Sequence, residues 1–216
     1  TPLYSSAASD VYKRQNEDHV ELVDVRSAPI TEITKTGIQT TDQHYELDAI
    51  AFATGFDAMT VAMREIDIKV KNGTSLDEHW EAGPRTYLGV MVAGLPNLFM
   101  ITGPQSPGVK SQMILSIEWH VDWIADCLQY MKDKKFNRIE AKLDAQENWV
   151  KHVKEVADST LYPLANSWYM GVNIPGKPKL FMPYVGGVHT YTKECERVVA
   201  NGYEGFVMSR EEAHIS

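Results

Sequence analysis

One stretch, residues 46–57 (ELDAIAFATGFD), constrains the fold of this chain more than any other. Its polar and apolar residues first alternate and then become continuously apolar over residues 49–53, as in a strand that passes from the edge of a sheet into its centre. Gly55 follows, and a residue without a Cβ lets the backbone approach a flat ligand closely. The sequence therefore predicts a buried strand over residues 45–53 that ends beside a bound group.

The glycines show what the chain lacks. No two of the 14 glycines are separated by a single residue, so the fingerprint G-x-G-x-x-G cannot be drawn anywhere. A doubly wound nucleotide-binding domain begins with a βαβ unit whose glycine turn holds the pyrophosphate. Such a unit is therefore predicted to be missing from this chain.

Charge and cysteine content exclude several classes of partner. The chain has 29 Asp and Glu against 21 Lys and Arg, a formal net charge of -8, and no stretch concentrates the basic residues. This balance argues against nucleic acid or an anionic membrane as a partner, and the longest apolar runs are too short to span a bilayer. Cys127 and Cys195 lie far apart and outside any C-x-x-C, which predicts buried thiols in a reducing compartment, the cytoplasm.

The first 15 residues (TPLYSSAASDVYKRQ) fit nothing that follows them. They resemble translated sequencing-adaptor read-through, and a flexible polar tail is the alternative interpretation. We therefore predict a non-native or disordered leader over residues 1–15, with the meaningful sequence starting near Asn16.

Strand and helix patterns predict an α/β layered fold. Strands are predicted over residues 19–25, 29–33, 37–40, 87–92, 97–101, 181–185 and 205–208, and a short helix over 74–81 that opens at Thr74 or Ser75. Further helices are predicted from about Asp144, with its apolar side running on to Leu164, and over residues 192–201. The clearest helix covers residues 112–132, with Ser111 as its N-cap. Its apolar residues recur at spacings of three and four and predict one buried stripe: Ile114, Ile117, Val121, Ile124, Leu128 and Met131.

The loop over residues 103–108 (GPQSPG) is predicted to be rigid, because two prolines fix φ and two glycines permit unusual dihedral angles. It does not fit the G-x-S-x-G elbow of a hydrolase. The seven histidines never reach metal-ligand spacing, and His120 and His152 are predicted to face solvent on their helices. No metal site is predicted. Trp119, Trp123 and Trp149 are interpreted as structural, since helical spacing explains them.

Four segments in one order resemble the Baeyer–Villiger flavin monooxygenases, nearest to the phenylacetone- and cyclohexanone-type enzymes. They are residues 48–57, residues 83–89 with 96–104, residues 106–107 with 113–118, and residues 167–178. The similarity runs from about Glu17 to Ser209. It implies that residues 16–216 form the C-terminal part of an FAD-binding domain with a helical, substrate-side region, within a two-domain FAD/NAD(P)-binding, doubly wound flavoprotein.

The resemblance also implies site residues. Cofactor contacts are expected from Thr54, Gly55 and Asp57, from Gln112 and Met113, and from Trp168. Gly108, Val109 and Lys110 are expected beside the substrate, and Lys110 departs from the apolar residue typical of the family. Because the start of the long helix has unpaired N–H groups and a positive dipole end, it suits the negative pyrimidine side of reduced flavin.

Trp168 has an indole N–H that suits a nicotinamide ribose or amide, and a packing role is its alternative. No catalytic residue is assigned, because the family's arginine beside the flavin belongs to the missing part. Arg85 is not its counterpart.

The function that the resemblance implies is FAD- and NADPH-dependent oxygenation, in which a flavin C4a-peroxide converts a ketone into an ester or lactone. The partners are then a small ketone, O2 and the missing N-terminal half of the same enzyme, and this chain alone is expected to be inactive. Two alternatives stay open: a flavin monooxygenase that oxygenates nitrogen or sulfur, and a non-catalytic binding module derived from such an enzyme.

Overall fold

The computed structural model describes residues 13–54, 59–70, 72–108, 112–165, 168–172 and 176–211. The chain divides into two compact units, Thr1–Gly55 and Phe56–Ser216. Most of the predicted leader, residues 1–15, lies outside the described residues. That these residues are separate from the rest of the protein stays a prediction.

The first unit contains a three-stranded antiparallel sheet. Its strands are β1 (Ile30–Thr34), β2 (Gly37–Thr40) and β3 (His44–Glu46), in the order β1-β2-β3. The predicted hairpin between β1 and β2 is confirmed, with Thr34 paired to Gly37. Only glycine fits at this turn, because a Cβ on Gly37 would lie 1.8 Å from the carbonyl oxygen of Tyr45.

The predicted long strand over residues 45–53 is wrong for this chain. Only β3 is a strand, and the apolar run behind it has no regular structure. Phe52 in that run is 69% exposed. A buried strand needs neighbours on both edges, and among the described residues β3 pairs with β2 alone. The predicted strand over residues 19–25 does not form either.

The second unit is mainly helical. Its helices are α1 (Val61–Arg64), α2 (Leu76–His79), α3 (Met113–Asp133), α4 (Leu143–Asp158) and α5 (Val188–Ala200). The strands β4 (Arg138–Ala141) and β5 (Phe206–Ser209) pair antiparallel. Helix and strand are thus combined as the α/β prediction requires, and the short turns Tyr162–Leu164 and Trp168–Met170 are 3-10 helices.

Local sequence explains several of these elements. Of the two predicted openings, Thr74 and Ser75, it is Ser75 that caps α2, through a reciprocal capping box with Glu78. Helices α4 and α5 each have one apolar face, with Trp149 and Val153 buried on α4. Leu164 lies beyond the end of α4 and is exposed, so the predicted apolar side stops earlier.

The predicted buried stripe of α3 is wrong, because the helix is apolar on two sides. Of the predicted residues only Met131 is buried, and Ile124 is half-buried. The face that packs on the core contains Ser116, His120, Trp123, Cys127 and Met131.

The predicted strands over residues 87–92, 97–101 and 181–185 do not form. Tyr87 and Met91 instead close a tight turn, in which Leu88 has a φ of 56°. Leu88 and Met91 have no exposed surface. The apolar run therefore reflects burial in the core rather than membership of a sheet.

The core of the second unit packs aromatic and aliphatic side chains from α3, α4, α5 and the β4–β5 pair. Trp123 and Trp149 are buried in it, and Trp119 packs against it, which confirms their structural role. Cys127 and Cys195 are free and buried, as predicted, and burial raises the pKa of each thiol to about 12. Within the described ranges, no helix is long and apolar enough to cross a membrane.

Candidate cofactor-binding site

The loop over residues 103–108 is held by a buried glutamine. The Gln105 Oε1 atom accepts from the backbone N–H of Thr86 at 2.8 Å, and its Nε2 donates to the carbonyl oxygen of Pro84 at 2.8 Å. The indole N–H of Trp149 donates to the Gln105 carbonyl at 3.2 Å. The predicted rigidity therefore depends on a side-chain network as well as on proline and glycine.

The same loop is bonded to the segment over residues 182–184. The N–H of Gln105 donates to the carbonyl oxygen of Met182 at 2.6 Å. The N–H of Tyr184 donates to the carbonyl oxygen of Ser106 at 2.8 Å. Met182 in turn donates its N–H to the carbonyl of Tyr169 at 3.1 Å. The loop and the 3-10 helix at Trp168–Met170 are thus fixed to one framework.

Gly108 lies within this framework. A Cβ on Gly108 would lie 2.8 Å from the Cβ of Pro183 and 3.9 Å from the ring of Tyr169. Any larger residue would push the loop away from residues 182–184. Gly108 therefore keeps the end of the loop close to the aromatic 3-10 helix.

Trp168 is partly exposed and packed on one face. Its ring stacks on that of Tyr169 with centroids 4.1 Å apart and an interplanar angle of 22°. Its exposed fraction is 38%. The indole is therefore oriented by packing while part of it stays open to a ligand.

The start of α3 has no side-chain cap. Its N-cap residue is Gln112, with φ 51° and ψ 98°, and the Gln112 side chain accepts no capping hydrogen bond. The first turn contains no acidic residue. Ser111, the predicted cap, lies outside the described residues. A helix of 21 residues that starts uncapped presents N–H donors and a positive dipole end, which suits an anionic group.

A buried histidine ties α3 to the residue before this loop, contrary to the prediction that His120 faces solvent. The Nδ1 atom of His120 accepts from the N–H of Thr102 at 2.7 Å, and its Nε2 lies 2.7 Å from the hydroxyl oxygen of Tyr191. The Tyr191 hydroxyl donates to the carbonyl of Leu88 at 2.6 Å. Burial lowers the pKa of His120 to about 4. The chain of bonds therefore fits a neutral ring with its proton on Nε2.

Two cavities lie away from most of the predicted site residues. A cleft of about 680 Å³ between α4 and α5 has Trp149, His152 and Tyr184 in its lining. A smaller cavity of about 240 Å³ borders Gln105 and Met170. In the described part of the chain, no group of three His, Cys, Asp or Glu side chains could hold a metal ion.

No family model matches the sequence. A Baeyer–Villiger monooxygenase of Pseudooceanicola batsensis is 37% identical over 203 residues, which cover 94% of this chain and 37% of that protein. Cyclohexanone 1,2-monooxygenase of Acinetobacter sp is 39% identical over 199 residues, which cover 92% of this chain and 36% of that protein. Phenazine N-monooxygenase PhzNO1 of Lysobacter antibioticus is 35% identical over 212 residues, which cover 96% of this chain and 39% of that protein. The solved structure of OTEMO in complex with FAD and NADP has a TM-score of 0.79 at 36% identity, covering 92% of this chain and 36% of that one.

More than nine-tenths of this chain is similar in sequence and in structure to Baeyer–Villiger flavin monooxygenases. It spans little more than a third of the curated relatives it matches. Its fold is that of a C-terminal portion of these flavoproteins.

The structure brings only some of the family's expected site residues together. Gly108 and Trp168 share one framework, and Gln112 and Met113 start α3 in the same unit. Thr54 is exposed in the first unit. Gly55, Asp57, Val109 and Lys110 lie outside the described residues.

The roles of two residues, Gln105 and His120, were not predicted from the sequence. His120 lies at helical spacing from Trp123 and Cys127, and that shared face was the available signal. Nothing in the local sequence marks Gln105, because its partners are more than a dozen residues away. Arg85 pairs with Glu147 on α4.

Proposed function

We propose that this chain is the C-terminal part of an FAD- and NADPH-dependent Baeyer–Villiger monooxygenase that converts ketones into esters or lactones. The observation that carries the proposal is the uncapped start of α3, whose N–H donors suit an anionic group, in the same unit as a loop fixed by buried hydrogen bonds. Relatives named as cyclohexanone 1,2-monooxygenase and acetone monooxygenase support the substrate class. The OTEMO complex with FAD and NADP supports the cofactors.

Bound FAD would supply the activation of O2, and the residues of this chain would position and stabilise it. We propose that the backbone N–H groups at Gln112 and Met113 face the pyrimidine edge of the flavin. Preorganised N–H donors at a helix start stabilise negative charge without reorganising during the reaction. Thr54, Gly55 and Asp57 are proposed as further FAD contacts, since a chain without a Cβ can lie against a flat ring.

Trp168 is proposed to donate its indole N–H to the nicotinamide part of NADPH. Its stacking on Tyr169 fixes the ring plane before the cofactor binds, which lowers the entropy lost on binding. Gly108, Val109 and Lys110 are proposed to lie beside the substrate. His120 keeps α3 and the segment at Thr102 in register through its hydrogen bond. No residue of this chain is assigned a proton transfer, and the cytoplasm remains the proposed location.

Oxygenation of nitrogen is the second candidate function. The phenazine N-monooxygenase relative matches 96% of this chain, which is as complete a match as the ketone-oxidising relatives give. An ammonium at Lys110 beside the substrate would also change which substrates are accepted, because burying a charge is costly.

The test is an assay of the full-length protein, encoded with the sequence upstream of Asn16 restored. We expect NADPH- and O2-dependent conversion of cyclohexanone into its lactone. Conversion of an aromatic amine or phenazine, with no lactone formed from cyclohexanone, would refute the ketone assignment in favour of N-oxygenation. A native start codon close to Asn16 would instead support a stand-alone binding module.

A further inference from the structure

A stripe of exposed aliphatic side chains runs along α3. We define the outer stripe as Ile114, Ile117, Val121 and Leu128, whose exposed fractions lie between 39% and 71%. At about 100° per residue these four positions fall within an arc of about 60°. Four large apolar side chains aligned on one helix are more than the isolated exposed residues that ordinary surfaces carry.

The face of α3 that borders this stripe on one side is already buried. Ser116, His120, Trp123, Cys127 and Met131 are buried in the core of this unit. The helix is therefore apolar on the face it buries and on the neighbouring face it exposes. A helix that buries or exposes apolar side chains over about half of its circumference is typical of one buried between two layers of a larger protein.

We infer that the outer stripe is the docking surface for the FAD-binding part of the same enzyme, which this chain does not span. This inference rests on the proposed function, because it takes the chain to be one part of such an enzyme. The chain accounts for only 36% of the length of its cyclohexanone monooxygenase relative, so nearly two thirds of an enzyme remain to supply the covering surface.

Charge argues against a second copy of this chain as the occupant. Glu118 and Asp122 are exposed and follow the outer stripe around α3, about 40° and 80° beyond Ile114 at 100° per residue. Two copies that associated through the stripe would bring these acidic side chains close to one another. Each copy also carries a formal net charge of -8. Like charges held close together oppose association.

Thiol labelling tests the inference directly, because both native cysteines are fully buried. Burial raises the pKa of Cys127 and Cys195, so neither should react with a maleimide in the folded protein. Ile117→Cys and Val121→Cys each place one reactive thiol on the outer stripe. Glu118→Cys places a matched thiol on the neighbouring polar face.

The labelling rates are compared between this chain alone and the full-length protein, with FAD absorbance as the check that the full-length protein is folded. We expect the two stripe thiols to react at least about tenfold more slowly in the full-length protein, and the Glu118→Cys thiol to react at a similar rate in both. Should one full-length stripe variant not fold, the other stripe variant gives the same comparison.

Equal rates for the stripe thiols in both proteins would overturn the inference. Protection that appears in this chain alone, and grows with its concentration, would overturn it in favour of self-association. The readout does not depend on turnover. A full-length protein that protects the stripe but oxidises no ketone would therefore refute the proposed function and leave the docking surface supported.

Discussion

At the scale of single residues, the site depends on buried polar side chains whose partners are distant in sequence. Gln105 bonds to Thr86 and Pro84, and His120 bonds to Thr102 and Tyr191. Each satisfies backbone groups that would otherwise be buried without a partner. Removing one partner of such a buried hydrogen bond lowers the stability of the protein by more than the intact bond adds to it.

Replacing Gln105 should therefore destabilise the chain strongly. The change Gln105→Leu leaves the N–H of Thr86 and the carbonyl of Pro84 without their partner, and should lower the free energy of unfolding by about 2 to 4 kcal/mol. Urea unfolding measures this directly. The matched control is Gln129→Leu, on the exposed side of α3, which should change stability by less than about 0.5 kcal/mol. Equal effects at both positions would show that the network contributes little.

His120 should make stability depend on pH in the acidic range. Its folded pKa is lowered to about 4, from 6.5. Below pH 6.5 the unfolded chain binds the proton more readily, so stability falls as the pH drops from 6.5 towards 4. The loss should be roughly 3 kcal/mol by pH 4.

The measurement is the free energy of unfolding between pH 7 and pH 4.5. A His120→Gln variant should be less stable at pH 7 but should lose less stability on acidification than the unchanged chain. If both chains lose stability in parallel, His120 is not the group that titrates.

At the scale of elements, the sequence predicted the positions of the helices that have a single apolar face. Helices α4 and α5 form close to their predicted positions because only one face can pack. The long helix was predicted correctly in extent, but its buried face was not, because periodicity cannot rank two neighbouring apolar stripes. Residues 87–92 were predicted as a strand because apolar content marks burial, whereas the tight turn at Leu88 depends on contacts from distant segments.

The same reasoning explains what was predictable about the site. The loop over residues 103–108 has local signals in its prolines and glycines, and these predicted a constrained conformation. The role of Gln105 within it was not, because hydrogen bonds to Thr86 and Met182 depend on tertiary folding.

The uncapped start of α3 yields an element-scale prediction. An Asp at position 112 places a negative charge at the positive end of the helix dipole. Gln112→Asp should therefore stabilise this chain alone by about 0.3 to 1 kcal/mol. In the full-length protein the same charge should repel the carbonyl oxygens on the pyrimidine edge of the flavin and weaken FAD binding.

Urea unfolding of this chain and FAD titration of the full-length protein measure the two effects, with Gln112→Asn as the uncharged control. If Gln112→Asp stabilises the chain but leaves the FAD affinity unchanged, the flavin does not bind at the start of α3.

At the scale of the whole molecule, this chain provides a helix start, a fixed loop and an aromatic 3-10 helix, and its relatives are almost three times as long. We predict that the purified chain alone is colourless and does not oxidise NADPH in the presence of cyclohexanone. Absorbance near the flavin bands and an NADPH consumption assay check both statements. A yellow protein that consumes NADPH would show that this chain binds and reduces flavin by itself.

The most direct measurement is a structure of the full-length protein with FAD bound. We predict that the first backbone N–H groups of α3, at Gln112 and Met113, lie within about 3 Å of polar atoms on the pyrimidine edge of the flavin. A flavin bound elsewhere, with the start of α3 facing solvent, would contradict the assignment of this helix to the oxygenase site.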